Sequence, residues 1–338
     1  MKCIVLDSSH KDGIALVELR EPIPEAWEVK VKISAAALNH RDQWCREQKY
    51  PNLKDGIILG SDGAGEVVEV GKQVDKSWLG KEVLINPAKN WGEDPAAQGS
   101  DFSILGMPEH GTFAEYCCVP ADRVHQKPEH LDYLKAAALP LCGVTAFRAT
   151  MVQGQVKKDD KVLVTGFGGG VAQMAAQFAL SKGARVFVTS GATWKLEKAV
   201  AMGAEAGYLY HSESWTDEAM ANTNGFDLII DSAMGPTVND LMDVVRPGGR
   251  IVFYGATLGN IQELNARKLF WKQVTLKGTT MGSDKDFQEM LAWVSHHRLI
   301  PTVDAVFPLS SALLAFEKMK NSDQMGKLVL QINPPSED

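Results

Sequence analysis

Cysteine is scarce in this chain: five in 338 residues, with one adjacent pair, Cys117-Cys118. So few thiols exclude a disulfide-stapled scaffold and suit a reducing compartment. Long apolar runs are lacking as well. No window approaches the roughly 18 uninterrupted apolar residues of a membrane-spanning helix. The opening MKCIVLDSSHKDG begins a strand at once and has no apolar signal-peptide core. Nor is there an excess of basic charge. The formal net charge is −7, so a nucleic-acid or anionic-membrane surface, which needs a basic stripe, is not expected. Internal repeats and low-complexity tracts are missing too. These absences leave a soluble, cytoplasmic protein whose partner is a small molecule.

What is present suffices for two domains, because 338 residues exceed the usual span of one core. Up to about residue 120 the text is β-rich. CIVL, VKVKISAAAL, AGEVVEVG and KEVLI are short, branched and often alternating, with Gly, Pro or Asp between them. From Asn86 to Gly111 the chain is polar, rich in Pro and Gly, and aperiodic, which predicts a long loop. Trp91 and Phe102 favour a loop that packs. A different rhythm follows. LKAAALPLCGVTAFRAT predicts helix, and the buried strands KVLVTG, RVFVTS, DLIIDSA and RIVFYG then alternate with helical stretches. Such alternation predicts right-handed βαβ units and a parallel sheet covered on both faces. Periodicity leaves open whether the tail from about residue 285 rejoins the first domain or extends the second.

The strongest chemical signal is KVLVTGFGGGVAQMAAQFALSKGARVFVTS. A strand ends in Gly166-x-Gly168-Gly169-Gly170 and a helix starts there, as a pyrophosphate site requires. The third glycine of the usual G-x-G-x-x-G falls on Val171, so the fingerprint is imperfect, but the flanking strand, helix and second strand supply its context. A carboxylate about 20 residues beyond the first glycine normally holds the ribose hydroxyls of NAD. Here the second strand ends at Ser190, and no acid follows until Glu197. Ser190 with Lys195 nearby suits a 2′-phosphate, so the expected cofactor is NADP(H).

The stretches VKVKISAAALNHRD, GSDGAGEVVEVG, GTFAEYCCVPADRVHQKP, LPLCGVTAFRAT and MGKLVLQI are spread over nearly the whole chain. In them the chain resembles the medium-chain dehydrogenase/reductase superfamily, and within it the zinc-free quinone oxidoreductase branch. That resemblance implies an α/β fold in which a Rossmann doubly wound parallel sheet (123–284) joins a GroES-like, β-barrel-type domain (1–122 and 285–338). It also implies cofactor contacts at Thr145, at Gly255-Ala256 and at Met281-Gly282-Ser283, and a homodimer.

Many relatives bind catalytic zinc through separated Cys, His and Cys or Asp ligands. Matched by motif, those positions fall on Asn39, Ser61 and Leu141, with Cys142 one place on. The glutamate of the family's Gly-His-Glu turn falls on Asp62. The four cysteines of structural zinc have no counterpart in 86–111. No metal is therefore expected, although Cys142, His40 and Asp62, or Cys45 with His40, remain conceivable irregular sets. Without a metal, reduction of a quinone, enone or alkenal demands least of the protein. A hydrogen bond to the developing oxyanion and a dry pocket suffice. Asn39, Asp42 and Tyr50 are the candidate chemical residues. Two alternatives stand: an alcohol dehydrogenase with an irregular zinc site, and a non-catalytic NADPH-binding sensor.

Overall fold

The computed structural model describes residues 1–333. Its contacts divide the chain into two compact units, 1–142 with 282 onward, and 143–281. The boundary lies at 142/143 rather than the expected 122/123. The strand Val124–Gln126 pairs antiparallel with Glu82–Ile85, which ties the intervening residues to the first unit.

The first unit is built on a mixed sheet. Its strands run in the order Val303–Pro308, Lys327–Gln331, Glu28–Ala37, Asp62–Val70, Glu82–Ile85 and Val124–Gln126, and Tyr116–Pro120 also pairs with Glu28–Ala37. The long strand Glu28–Ala37 is central because its alternating residues Val29, Val31 and Ile33 are fully buried. They join Val67, Val83, Ile85, Phe113, Phe316 and Leu330 in one apolar core. Lys327–Gln331 lies antiparallel to the end of that strand, so the tail does rejoin the first unit. Part of the stretch expected to be loop is ordered by a short ladder, Ala88–Lys89 with Ser103–Ile104. The rings of Trp91 and Phe102 meet edge-to-face at 5.4 Å beside it.

The GSDGAGEVVEV stretch contains a sharp turn into the strand Asp62–Val70. Gly65 is fixed by space rather than by φ: a Cβ there would stand 2.0 Å from the Lys32 carbonyl oxygen on the neighbouring strand. The glycines let two backbones approach and bring Ser61 and Asp62 inside.

The second unit holds six parallel strands. Their spatial order is Ala206–Leu209, Arg185–Ser190, Lys161–Val164, Phe226–Asp231, Val245–Phe253 and Thr275–Gly278. Numbered along the chain this is 3-2-1-4-5-6, the doubly wound arrangement expected, with its switch point between Lys161–Val164 and Phe226–Asp231. These two strands are apolar on both faces, as a sheet covered by helices demands: Val162, Leu163, Val164, Leu228, Ile229 and Ile230 are all fully buried. Among the described residues, no helix is long and apolar enough to cross a membrane.

Candidate functional site

In the second unit, the strand Lys161–Val164 runs into the glycine loop and the helix Gly170–Ser181 follows. Gly166 takes φ +63°, a left-handed conformation that costs other residues about 1–2 kcal/mol. Thr165 donates through its hydroxyl to Asp231 (2.5 Å) and through its N–H to the Ile230 carbonyl (3.0 Å). Phe167 is buried and its N–H donates to the Thr189 carbonyl (3.0 Å). The loop is thus pinned to both neighbouring strands, while Gly168, Gly169, Gly170 and Val171 stay partly exposed where the helix begins. Free N–H groups and the helix dipole at such a start favour an anion, so the residues present fit a dinucleotide pyrophosphate. Asp231 is buried and accepts from Thr165, Ala233 and Met234, which makes it a brace for this turn.

The other expected cofactor residues of this unit lie in three places. Gly255 and Ala256 follow the strand Val245–Phe253 and run beside Ser232. A Cβ on Gly255 would stand 3.1 Å from the Ser232 carbonyl oxygen. Ser190 and Lys195 lie at the carboxyl end of the second strand. Ser190 is buried, and its oxygen accepts from the Ala192 N–H (3.4 Å). Lys195 sits in the first turn of the helix Thr193–Ala201. Thr145 is buried, with its hydroxyl directed at the Met281 sulfur (3.8 Å). Met281 closes the unit at φ +41°. Gly282 and Ser283 open the returning part of the first unit, where Ser283 caps the helix Asp284–His297 through a reciprocal bond with Asp286.

The first unit assembles a polar cluster in its core. Asn39 immediately precedes the helix His40–Arg46, and Asp62 opens the strand Asp62–Val70. Asn39 Nδ2 donates to Asp62 Oδ2 (2.9 Å), and the Asn39 N–H donates to Asp42 Oδ2 (2.8 Å). Lys327, from the strand near the far end of the chain, places its ammonium against both: 2.6 Å to Asn39 Oδ1 and 3.1 Å to Asp62 Oδ2. The other Asp62 oxygen accepts from the Leu141 N–H (2.8 Å). The Lys327 and Asp62 side chains are 5% and 0% exposed, so the pair is held away from solvent screening. Asp42 is also fully buried, and its Oδ1 has no hydrogen-bond partner among the described residues. Burial pushes its carboxyl up to about 6, against the pull of Arg41 and Lys327.

Beside this cluster, Arg41 is buried and spends its donors on Ser61 Oγ (2.5 Å) and on the carbonyls of Leu105 (2.8 Å) and Met107 (3.1 Å). Tyr50 joins only through Arg41, whose guanidinium lies 4.8 Å from the ring centroid and donates to the hydroxyl (3.3 Å). Asn39 and Asp42 are therefore brought together, while Tyr50 stands apart as a partner of the arginine. Sequence reasoning missed Lys327 and Arg41. The available signal was a cation beside each apolar strand or turn that had to be buried.

A zinc ion does not fit this arrangement. The ligand positions hold Asn39, Ser61 and the apolar Leu141, and an ammonium already stands among the polar atoms. Ser61 accepts from Arg41 and donates to the Leu105 carbonyl (2.8 Å). The Cys142 thiol is directed at the Ala138 carbonyl, in the turn just before the helix Pro140–Phe147 that carries it (3.0 Å). Cys45 lies in the apolar core, where burial pushes its thiol up to about 12, and His40 is exposed. Among the described residues, no three His, Cys, Asp or Glu side chains converge as metal ligands.

Comparison with known proteins adds to this geometry. Residues 25–129 match the model for the alcohol dehydrogenase GroES-like domain, and residues 170–296 match the zinc-binding dehydrogenase model. A zinc-type alcohol dehydrogenase-like protein YogA of Leptosphaeria maculans is 36% identical over 92% of each chain. An acryloyl-coenzyme A reductase of Metallosphaera sedula is 27% identical over 98% of this chain and 99% of its own. Among solved structures, an NAD-dependent alcohol dehydrogenase superposes with a TM-score of 0.93 at 33% identity, covering 98% of this chain and 99% of that one.

Proposed function

Because the chain belongs to the medium-chain dehydrogenase/reductase superfamily, we propose that it is an NADPH-dependent, zinc-independent reductase of quinones or of the activated C=C or C=O bonds of enones and alkenals. The observation that carries this reading is the buried Lys327 ammonium among the positions where relatives place metal ligands. A second cation there would meet that charge at close range, and among the described residues no three His, Cys, Asp or Glu side chains converge to receive it.

NADPH, when bound, supplies the hydride. The glycine loop 166–170 and Val171 hold the pyrophosphate, and Thr145, Gly255, Ala256 and Met281 line the rest of the cofactor. Ser190 and Lys195 favour the 2′-phosphate over a bare ribose, in a segment with no acid before Glu197. Asn39 is held by Asp42 and Lys327, which pre-organises its amide as a donor toward a developing oxyanion. The acceptor's own conjugation carries the remaining charge, which is why quinones, enones and alkenals suit a site without a Lewis acid better than saturated alcohols. Names among the relatives agree in kind: an acryloyl-coenzyme A reductase and the quinone oxidoreductase of Lama guanicoe both act on conjugated acceptors. We also propose a homodimer formed at the edge strand Thr275–Gly278. The helix Ala266–Trp271, next to it in the chain, leaves Phe270 and Trp271 65% and 82% exposed.

The test is oxidation of NADPH by metal-stripped protein with benzoquinone, cyclohexenone and hexenal, with NADH alongside. Turnover that survives stripping and prefers NADPH supports the proposal. Activity that returns only with added zinc overturns zinc independence, and NADPH binding without turnover on any acceptor overturns the enzyme reading.

A further inference from the structure

In a doubly wound sheet the first three strands hold the adenosine half of a dinucleotide and the last three the nicotinamide half. The chain leaves the sixth strand, Thr275–Gly278, and reaches the helix Asp284–His297 through a short stretch that includes the expected cofactor residues Met281, Gly282 and Ser283. Residues 279–283 lie in no strand or helix, and Met281 takes φ +41°. With no ladder of its own, this backbone is held in place from its ends. At the helix end the grip comes from Arg123 and Asn86.

These two residues stand at the ends of paired strands. Asn86 follows Glu82–Ile85, Arg123 precedes Val124–Gln126, and Ile85 faces Val124 in their register. The Asn86 N–H donates to the Arg123 carbonyl (2.7 Å) and closes that end of the ladder. Both residues are buried, and both side chains reach Asp284, the first residue of the helix. Arg123 donates from Nη1 to Asp284 Oδ1 (2.5 Å) and from Nη2 to Oδ2 (2.7 Å), and Asn86 Nδ2 donates to Oδ1 (3.1 Å). The guanidinium is fixed in turn. Nε and Nη2 donate to Asp122 (3.2 and 3.1 Å) and Nη1 to the Ala88 carbonyl (2.7 Å), so all of its N–H groups are used. One turn along the helix, Phe287 is fully buried with its ring 4.9 Å from that of His125, on the strand that Arg123 precedes.

Resting on the nicotinamide-cofactor reading above, we propose that Arg123 is a positioning residue: with Asn86 it fixes Asp284, and through Asp284 it holds the backbone of Gly282 and Ser283 for the nicotinamide end of the cofactor. A bidentate grip on a carboxylate sets direction as well as distance, which a lysine ammonium does not. Were the guanidinium there only for the stability of the sheet, its two carboxylates would be equivalent. They are not. Asp122 is the neighbour of Arg123 in sequence, is 71% exposed and leads to no other element, whereas Asp284 opens the helix that Ser283 caps.

The experiment measures dissociation constants on the full-length protein for NADPH and NADH, and for ADP-ribose and its 2′-phosphate, which lack the nicotinamide. It compares the wild type with Arg123→Lys, Asp284→Asn and Asp122→Asn, each first checked for an unchanged near-UV circular dichroism spectrum. Arg123→Lys and Asp284→Asn should weaken both cofactors about tenfold, the worth of one charge-assisted hydrogen bond, and leave the two ADP-ribose ligands within about twofold. Asp122→Asn should change none of the constants. Equal weakening of cofactors and ADP-ribose ligands by Arg123→Lys and Asp284→Asn would show that the bridge only maintains the fold, and unchanged cofactor constants would show that it does not serve the cofactor. Either result overturns the positioning role and leaves the cofactor reading intact. The same loss in Asp122→Asn also overturns it, because the effect would then not pass through Asp284. A wild type that binds neither NADPH nor NADH overturns both the positioning role and the cofactor reading.

Discussion

Replacing Lys327 with methionine tests the central feature of the first unit. The ammonium lies 3.1 Å from Asp62 Oδ2 in a place where the two side chains are 5% and 0% exposed. At that distance, with an effective dielectric of about 20, their attraction is on the order of 5 kcal/mol. Methionine fills similar volume, so the loss is mainly electrostatic: Asp62 keeps the Asn39 and Leu141 donors but loses its counter-charge. Breaking a buried pair from one side costs about 3–5 kcal/mol. For a unit of this size that lowers the melting temperature by roughly 6–20 °C. Scanning calorimetry of Lys327→Met, Asp62→Asn and the double variant reads this directly. The double variant should recover most of the loss, giving a coupling of at least about 2 kcal/mol, because a neutral pair leaves no buried charge alone. Two singles that each cost under about 1 kcal/mol and add in the double would refute the argument. A Lys327→Met protein that bound zinc stoichiometrically would show instead that the ammonium is what keeps a metal out.

Asp42 gives a pH dependence of opposite sign to the usual acid effect. Its folded carboxyl is raised to about 6, so the native state holds the proton more tightly, and stability falls as pH rises from about 4 to 6, by about 3 kcal/mol. Asp42→Asn should flatten that window and match or exceed wild-type stability at pH 7 in urea titrations; a variant less stable than wild type at pH 7 would contradict it. Arg41→Lys keeps the charge but cannot reach Ser61, Leu105 and Met107 together, so about 2–3 kcal/mol should go and protease cleavage within 92–100 should quicken. Gly166→Ala forces a Cβ onto φ +63° and should weaken NADPH and NADH alike, by tenfold or more in fluorescence titrations. Trp271→Glu should shift sedimentation toward monomer without altering cofactor affinity.

The alternation of apolar strands and helices made the parallel sheet readable, because strands covered on both faces must be continuous apolar runs such as Val162–Val164 and Leu228–Ile230. The glycine loop was readable for the same local reason. The polar cluster was not. Asn39, Asp62, Leu141 and Lys327 are remote in sequence, and their meeting depends on the register of the last strand against Glu28–Ala37, which no local pattern states. Lys327 stood within GKLVLQI, and an ammonium heading the apolar run Leu328–Leu330 was the clue available. The unit boundary moved for a similar reason, since Val124–Gln126 is claimed by a strand some forty residues upstream, Glu82–Ile85.

The strand Lys327–Gln331 has a bearing on how the chain matures. As the polypeptide leaves the ribosome, residues 143–281 carry all six strands of their own sheet and can close early. The first unit cannot. On one edge of its long central strand, Glu28–Lys32 pairs early with Tyr116–Pro120, but Ala35–Ala37 waits for Lys327–Gln331, and Asp62 waits without its ammonium until that strand is made. The earliest residues synthesised are therefore the last to be completed. Through that interval, a short stretch of apolar sheet edge and an acid without its counter-charge stay uncovered.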